Sequence, residues 1–584
     1  MSHVPDITTL AILKGAFSSI TNEMSNVVLR TARTPVFKLA KDFSCTLCDW
    51  ESRQIVQGEA ELPVQVGSIA FVCKAVAQAY AGDVQPGDLY LCNDPQVGGI
   101  HLNDVALLRP IFYRDELLFW AATRGHWLDI GGPMPADLAK AQSDSYGEGL
   151  RIPPTRIHRA GEPVADMMRL IFANIRFPER QMSDLLALTA AADIAAKRLL
   201  GLVDKYGAKT VKNGIEALYD MTESRVRSAI AALPDGRASG SAWLSARQGD
   251  DHIELKAEVV IKGDELFVTL NSPPQLLDVR NSPFGATFAA TVHAVAVGLG
   301  IDPPFDAGLA RPLHIDCGPQ ASVMNAKVPP GATLGCTTQP FCEIVDCVRA
   351  ALSQLIPSER LTAGWGTSGS IVLSGIHPET AEFYAHFHPN GGTVAGSGAA
   401  YGFDGWSGVG SENSSGAIQK ESIELLEYEL PFHVRHLEYR TDSAGAGRWR
   451  GGLGLDCEWV PLEHRQTARY HATIDTFPAL SVGGARSAMV SSKLGERLVY
   501  SPEGASRRIG GASRAHAERG GWFETRAPGG GGVGDPFERD PEKVARDVRN
   551  DLVSVEGARI EYGVVLDCVS GDVDSSATHK LRRR

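Results

Sequence analysis

Two histidines and an aspartate stand in polar turns that follow predicted strands. His101 and Asp104 are three residues apart, directly after Gly98-Gly99, and His126 follows about twenty residues later. Imidazole and carboxylate groups at strand ends are typical of a catalytic Zn, Mn or Fe site. Asp42 is a candidate fourth ligand. On spacing alone, histidines that only form hydrogen bonds in a turn remain the favoured interpretation.

A glycine run near the C-terminus has some features of a phosphate-binding loop. Gly529 to Gly532 are consecutive glycines, but no Gly-Lys-Ser/Thr follows them, and Pro536 blocks a helix that would start there. We interpret the run as a turn that allows two backbones to pack closely.

Two further motifs give weaker signals. His386 and His388 share one face of a predicted strand, where such pairs are more often structural than metal-binding. Cys45 and Cys48 have CxxC spacing without a second pair. We interpret most of the ten cysteines as small buried hydrophobic residues of a reducing cytoplasm, with Cys568 among them.

Short apolar runs bounded by turn residues predict the strands that position the polar turns. They are residues 89–92, 105–108 and 117–122. An amphipathic helix precedes them, capped by Thr8 or Thr9, and its apolar face consists of Leu13, Phe17, Ile20, Met24 and Val27. Helical patterns recur at about 183–219, 284–299 and 344–355, and strand alternation covers 239–271.

These elements predict a mixed α/β fold of the α+β class. Its N-terminal region is rich in helices and strands, and its C-terminal part is β-rich and dense in glycine. The Pro234-Asp235-Gly236 turn is the clearest boundary. We predict a metal-site domain over 1–235, a central α/β domain over 236–389 and a glycine-rich, β-dominated domain over 390–584.

Composition excludes several classes of protein. The chain has 584 residues, 61 of them glycine, and a net charge of -12. Nucleic-acid binders are usually basic, and the only basic run, residues 582–584, is expected to be a frayed tail. No apolar stretch reaches 18 residues and no signal peptide begins the chain, so we expect no membrane association and a cytoplasmic location.

Several longer motifs resemble the hydantoinase B/oxoprolinase family, over about residues 7–566. They are Asp42-Phe-Ser-Cys45, Asn93-Asp-Pro95 through Asp104, Arg124-Gly-His-Trp-Leu-Asp-Ile-Gly-Gly132, Glu148-Gly-Leu-Arg-Ile-Pro-Pro154, residues 442–454, and residues 529–536 with Tyr562-Gly563. This family includes the B subunits of ATP-dependent hydantoinases and lactamases and is related to subunits of acetone and acetophenone carboxylases. The resemblance implies metal-assisted hydrolysis of the C–N bond of a cyclic amide that a partner subunit has phosphorylated.

The resemblance also implies roles for individual residues. His101, Asp104 and His126 fall on the family's metal-ligand positions, with Asp42 as a further ligand. Asp129, or alternatively Asp94, is expected to orient a ligand imidazole. ATP is expected on a hydantoinase A/oxoprolinase-type subunit and not on this chain, with two B subunits forming a homodimer within a heterotetramer.

Two departures from the family pattern leave alternatives open. Glu61 and Gln65 stand where relatives usually carry histidines, so the substrate or the activation of water is expected to differ. One alternative is a subunit of an ATP-dependent acetophenone- or acetone-type carboxylase with a ketone substrate. Another is a scaffold without catalytic activity that docks the A subunit.

Overall fold

The computed structural model describes residues 5–133, 143–244, 252–367, 369–462, 469–472, 479–485, 496–508, 513–517 and 519–583. The chain divides into two compact units. The first contains residues 1–238 and 256–344, and the second contains residues 239–255 and 345–584. The three domains predicted from the sequence stay a prediction beside this division.

Helices and strands are both abundant among the described residues. The helices are α1 Ile7–Thr31, α2 Pro35–Lys38, α3 Pro63–Val66, α4 Ile69–Ala79, α5 Ala165–Ala173, α6 Pro178–Tyr206, α7 Ala208–Ala231, α8 Phe284–Leu299, α9 Phe341–Leu352, α10 Ile423–Glu429, α11 Pro541–Arg549, α12 Val555–Tyr562 and α13 Ser575–Arg582. The strands are β1 Phe43–Asp49, β2 Gln54–Gln57, β3 Leu89–Cys92, β4 Asp104–Tyr113, β5 Glu116–His126, β6 Thr155–Arg159, β7 Glu162–Pro163, β8 Gly236–Leu244, β9 Ile253–Lys262, β10 Glu265–Asn271, β11 Leu313–Asp316, β12 Gly369–Ile376, β13 Phe383–Thr393, β14 Phe432–Tyr439, β15 Leu455–Pro461, β16 Arg469–Ala472, β17 Glu496–Tyr500, β18 Ser506–Arg508, β19 Ser513–His516 and β20 Trp522–Arg526. The predicted α+β class is confirmed.

A seven-stranded antiparallel sheet forms the centre of the first unit. Its strand order is β2-β1-β5-β4-β3-β6-β7, so β5 and β4 lie in the middle. The apolar runs predicted as strands form β3 and lie within the longer strands β4 and β5. Because β4 and β5 are almost entirely buried, the sheet places polar residues at their ends in a site that water reaches poorly.

Two long helical regions of this unit follow the predicted apolar spacing. Helix α1 packs against α6, and four residues of its predicted apolar face are buried: Leu13, Phe17, Ile20 and Met24. Val27 is only half-buried, and Val28 is buried instead. The helix cap was predicted wrongly: Asp6 accepts hydrogen bonds from the amides of Thr8 and Thr9, because its side chain precedes the first helical turn. The helical pattern at 183–219 divides into α6 and α7 at Gly207, whose positive φ of 81° breaks the helix.

Glycine-rich segments pack closely in the second unit, beside sheets of order β13-β12-β16-β19 and β14-β15-β20-β17-β18. A Cβ atom added to Gly530 would lie 2.0 Å from the Ser397 carbonyl oxygen, and one on Gly451 would lie 2.0 Å from that of Gly530. The Gly452 amide donates to the Ser397 carbonyl at 2.8 Å, and the Gly530 amide donates to the Gly452 carbonyl at 2.9 Å. The interpretation of Gly529 to Gly532 as a close-packing segment is confirmed.

Two expectations about the C-terminal part are wrong. Cys568 is exposed because it lies in a tight turn in which the Asp567 carboxylate accepts the amides of Val569 and Ser570. Arg582 belongs to α13 and is not a frayed end: its guanidinium donates to the carbonyls of Tyr562 and Arg539 at 3.0 and 2.7 Å. Arg584 lies outside the described residues.

None of the helices in the described ranges is both long and apolar enough to span a membrane.

Candidate metal centre

Strand register brings the predicted ligands together. β4 and β5 pair so that Asp104 lies opposite His126, and β1 pairs with β5 so that Phe43 lies opposite Gly125. Asp42, one residue before Phe43, therefore lies opposite His126 on its other side, and its carbonyl accepts the His126 amide at 3.0 Å. Side chains that face each other across neighbouring strands project to the same face, so three strands supply one cluster.

The compact part of this cluster is a group of three buried residues. His101 Nε2 lies 3.1 Å from Asp104 Oδ2, and His126 Nδ1 lies 3.6 Å from Asp104 Oδ1. One ligand atom from each residue lies within 4.8 Å of the others, and the two imidazole centroids are 4.9 Å apart. All three side chains are at most 3% exposed.

The donor set of this group fits a divalent transition metal. Two imidazoles and one carboxylate suit Zn, Mn and Fe. Moreover, His101 Nδ1 is buried and has no hydrogen-bond partner among the described residues, which is unusual for a polar atom without a ligand function. Burial alone would raise the pKa of Asp104, but the two neighbouring imidazoles hold it well below the usual range. The carboxylate is therefore kept ionised, as metal binding requires.

Asp42 borders this group but does not belong to its three members. Its Oδ1 accepts a hydrogen bond from Gln65 Nε2 at 2.9 Å. In the strand order β5 lies between Asp42 and Asp104, and each of them faces His126 from one side. Gln65 Oε1, in contrast, is buried without a partner in the described part of the chain.

Arg124 holds the segments around the site. It lies two residues before His126 on the same strand and therefore on the same face. Its guanidinium donates to the Gln65 carbonyl at 2.8 Å, the Ser68 hydroxyl at 2.7 Å and the Gly98 carbonyl at 3.1 Å. Complete burial lowers the pKa of Arg124 to about 10. One buried cation thus connects α3 to the turn that leads into His101.

The turn that carries His101 is fixed by its own polar residues. Asn93 donates to the carbonyls of Leu102 and Leu150, and its side-chain oxygen accepts the Ile152 amide at 2.6 Å. Gly98 has a φ of 103°, and a Cβ atom there would lie 2.5 Å from Phe71 Cβ. Glycine is therefore required at the point where the chain turns back toward β4.

Asp129 and Asp94 have other contacts. The Asp129 carboxylate accepts hydrogen bonds from the Arg176 guanidinium at 2.9 Å and from the Arg176 backbone amide. Asp94 accepts the Gln96 amide at 3.0 Å and caps a short turn. Both carboxylates lie outside the three-residue group, and the contacts described here hold loops in place.

Two of the remaining sequence candidates lie in other surroundings. His386 Nε2 is 2.7 Å from Glu421 Oε2, and the side chain of His388 lies outside the described residues. Cys45 and Cys48 are buried, unbridged residues of β1.

The contacts of Arg124 and Gln65 were not predicted from the sequence. The one available signal was a charged residue inside the apolar strand β5, where burial demands several hydrogen-bond acceptors.

Comparison with known proteins agrees with the family that the motifs indicate. Residues 6–536 match the sequence profile of the Hydantoinase B/oxoprolinase family. The chain belongs to this family. It is 36% identical to the caprolactamase subunit beta of Pseudomonas jessenii over 99% of both chains.

Solved structures show the same fold for this family member. The crystal structure of the ATP-dependent caprolactamase from Pseudomonas jessenii superposes with a TM-score of 0.92 and 33% identity, covering both chains completely. A nucleotide-free acetone carboxylase structure superposes with a TM-score of 0.86 over 99% of this chain and 82% of that chain. Its 17% identity supports the likeness in fold alone.

Proposed function

We propose that this chain is the B-type subunit of an ATP-dependent cyclic-amide hydrolase. The similarity to caprolactamase subunit beta over 99% of both chains carries this proposal, because the whole chain and not one domain corresponds. The buried group of His101, Asp104 and His126 gives the subunit a site of its own. A scaffold without catalytic activity would have no need for such a group.

His101, Asp104 and His126 would hold a divalent metal, either Zn, Mn or Fe, and Asp42 would be its fourth ligand. When bound, such a metal supplies Lewis-acid chemistry and makes water more acidic. Asp104 Oδ2 orients the His101 imidazole at 3.1 Å, Oδ1 faces His126 Nδ1 at 3.6 Å, and the burial of all three side chains restricts the entry of bulk water. Gln65 holds Asp42 in position from the other side of His126.

The chemistry requires a partner. An amide is stabilised by resonance, so its hydrolysis needs an activated leaving group. We propose that a hydantoinase A/oxoprolinase-type subunit binds ATP and phosphorylates the amide oxygen, and that this chain completes the hydrolysis. Two B subunits are proposed to form a homodimer within a heterotetramer.

The first experiment measures activity of the reconstituted complex. The chain is co-expressed with its A-type partner, and ATP-dependent turnover of caprolactam, hydantoin, 5-oxoproline and acetophenone is measured with and without bicarbonate. We expect ring opening of a cyclic amide without bicarbonate, lost in His101→Ala and retained in His158→Ala, because His158 lies on β6 outside the group. A product that requires bicarbonate would replace this proposal with the carboxylase alternative.

The second experiment measures metal binding directly. Elemental analysis of the purified chain is expected to show about one Zn, Mn or Fe per subunit, lost in His101→Ala and Asp104→Asn. Asp42→Asn is expected to weaken metal binding without abolishing it. Metal content that is equal in all these variants would contradict the assignment of the ligands.

A further inference from the structure

The first unit contains a cavity of about 280 Å³ that is separate from the candidate metal centre. Its walls come from the turn between β1 and β2, from α3 and α4, from α8 and from residues 305–310. None of the predicted ligands lines it. Its volume is close to the lower end of the range of small-molecule sites in proteins.

The body of the cavity is apolar. Phe71, Phe288, Val292 and Phe305 line it, and each is only half-buried. The Phe71 ring lies 5.1 Å from that of Phe288 in an edge-to-face arrangement, which fixes the wall. Binding of an apolar group over half-exposed aromatic residues is favourable, because it removes apolar surface from water.

Two charged residues of the lining, Arg53 and Asp306, have polar partners within the chain. Arg53 lies 2.8 Å from Asp49 and 3.3 Å from Glu51. The Asp306 carboxylate accepts the Thr222 hydroxyl at 2.6 Å and the Gly308 amide at 2.8 Å.

Lys74 is different from these residues. It lines the cavity from α4 and has no carboxylate within 4.0 Å in the described ranges of the chain. Lys74 is therefore a cation of the lining that is not in an ion pair with any described residue.

We propose that this cavity is a binding site for a compact apolar molecule that ends in a carboxylate. The apolar body lies against Phe71, Phe288 and Val292, and the carboxylate pairs with Lys74. Ring opening of a cyclic amide frees an ammonium group as well as a carboxylate, so the proposed ligand is an alkanoate-like molecule and not the hydrolysis product itself. The binding itself requires neither the metal nor the partner subunit.

The cavity also adjoins the segment that supports the metal centre. Val66 and Gly67 belong to its wall, while the neighbouring Gln65 and Ser68 accept hydrogen bonds from Arg124. A Cβ atom on Gly67 would lie 2.5 Å from Ala289 Cβ, so this wall is packed tightly against α8. The ligand site and the support of the metal centre thus share one short segment, residues 65–68.

Calorimetric titration of the full-length chain with butyrate, hexanoate and octanoate tests this proposal. Affinity is expected to rise about fourfold for each added methylene until the cavity is full, since a buried methylene contributes about 0.8 kcal/mol. Hexanoate is expected to bind more tightly than hexanol and hexylammonium. Affinity that does not depend on chain length, or equal binding of all three six-carbon probes, would overturn the assigned ligand class.

Two variants locate the binding. Val292→Phe places a larger side chain in the cavity from the half-buried side of α8 and is expected to weaken hexanoate binding at least tenfold. Lys74→Gln is expected to weaken it about three- to fivefold, as for a solvent-exposed ion pair, with hexanol binding unchanged. Lys209→Gln on α7, outside the cavity, is the matched control and is expected to bind normally. Wild-type binding by a Val292→Phe protein with a normal circular dichroism spectrum would refute the site.

Discussion

Replacing Arg124 by methionine tests whether this residue holds the candidate metal centre together. Methionine has a similar length and no charge, so it fills most of the space and removes the donors. The acceptors that lose their partner are the carbonyls of Gln65 and Gly98 and the hydroxyl of Ser68. Gln65 contacts Asp42, and Gly98 lies in the turn that leads into His101. We therefore expect two effects of the substitution: lower stability and weaker metal binding.

The magnitude follows from two opposing terms. Three buried acceptors without a donor cost about 2 kcal/mol each, or about 6 kcal/mol together. Against this, the variant no longer pays the free-energy cost of burying a charged side chain. The lowering of the Arg124 pKa from 12.5 to about 10 corresponds to a cost of about 3 kcal/mol. The net expectation is a loss of about 3 kcal/mol in the free energy of unfolding. Metal affinity is expected to fall about 10- to 100-fold, as for other residues that position ligands.

Urea unfolding of the metal-free protein and zinc titration against a competing chelator measure these two effects separately. Arg109→Met is the matched control, because Arg109 lies on β4 and its pair with Asp193 is partly exposed. That pair contributes less than about 1 kcal/mol and supports no predicted ligand. If Arg124→Met unfolded in urea like Arg109→Met, or if the folded variant bound zinc with wild-type affinity, Arg124 would have no positioning role.

Three further predictions concern stability. Arg539→Met is expected to lower it by about 2–3 kcal/mol in urea unfolding, because the buried Asp547 would keep only Arg450 Nε at 3.5 Å and the partly exposed Asp404 would lose both guanidinium contacts. Arg237→Met, on a 69% exposed side chain, should change it by less than about 1 kcal/mol. Gly530→Ala is expected to lower the free energy of unfolding by about 3 kcal/mol or more, because its Cβ would lie 2.0 Å from a carbonyl oxygen. Gly201→Ala, which has open space around it on α6, should stabilise the protein slightly. Equal melting temperatures of the two variants would contradict the close packing at Gly530. Burial raises the pKa of Glu61 from 4.5 to about 7, so the folded state favours the neutral acid; the stability that this provides is complete below pH 4.5 and is lost as the pH rises through 7. Glu61→Gln should remove this pH dependence, which amounts to about 3 kcal/mol, and an unchanged pH profile of urea unfolding would disprove the assignment.

Elements with regular apolar spacing could be predicted from the sequence with little error. Residues 284–299 were predicted as a helix and form α8 with the same bounds. The strand over 89–92 is likewise confirmed as β3. In both cases turn residues mark the ends, and the length of the apolar run separates the 16-residue helix from the four-residue strand. The cap of α1 was missed because Asp6, Thr8 and Thr9 can all cap a helix, and only the backbone geometry selects Asp6.

The close packing of His101, Asp104 and His126 depends on which strands pair, and sequence spacing does not contain that information. The three-residue spacing of His101 and Asp104 indicated a shared turn, but His126 joins them only because β4 and β5 form a hairpin with Asp104 opposite His126. Asp42 comes from a strand that precedes the hairpin by more than fifty residues. Its position beside His126 results from long-range antiparallel pairing, which local patterns do not determine.

Gly125 explains why this register is strict. It lies between Arg124 and His126 and projects to the opposite face of the sheet, where a Cβ atom would lie 2.2 Å from the Phe37 ring of α2. A slip of one residue in β5 would move Arg124 or His126 onto this face, and neither side chain would fit against Phe37. The absence of a side chain at Gly125 therefore directs the charged side chains on either side of it toward the site. Within β5, the positions of Arg124 and His126 at the site thus depend on the glycine between them.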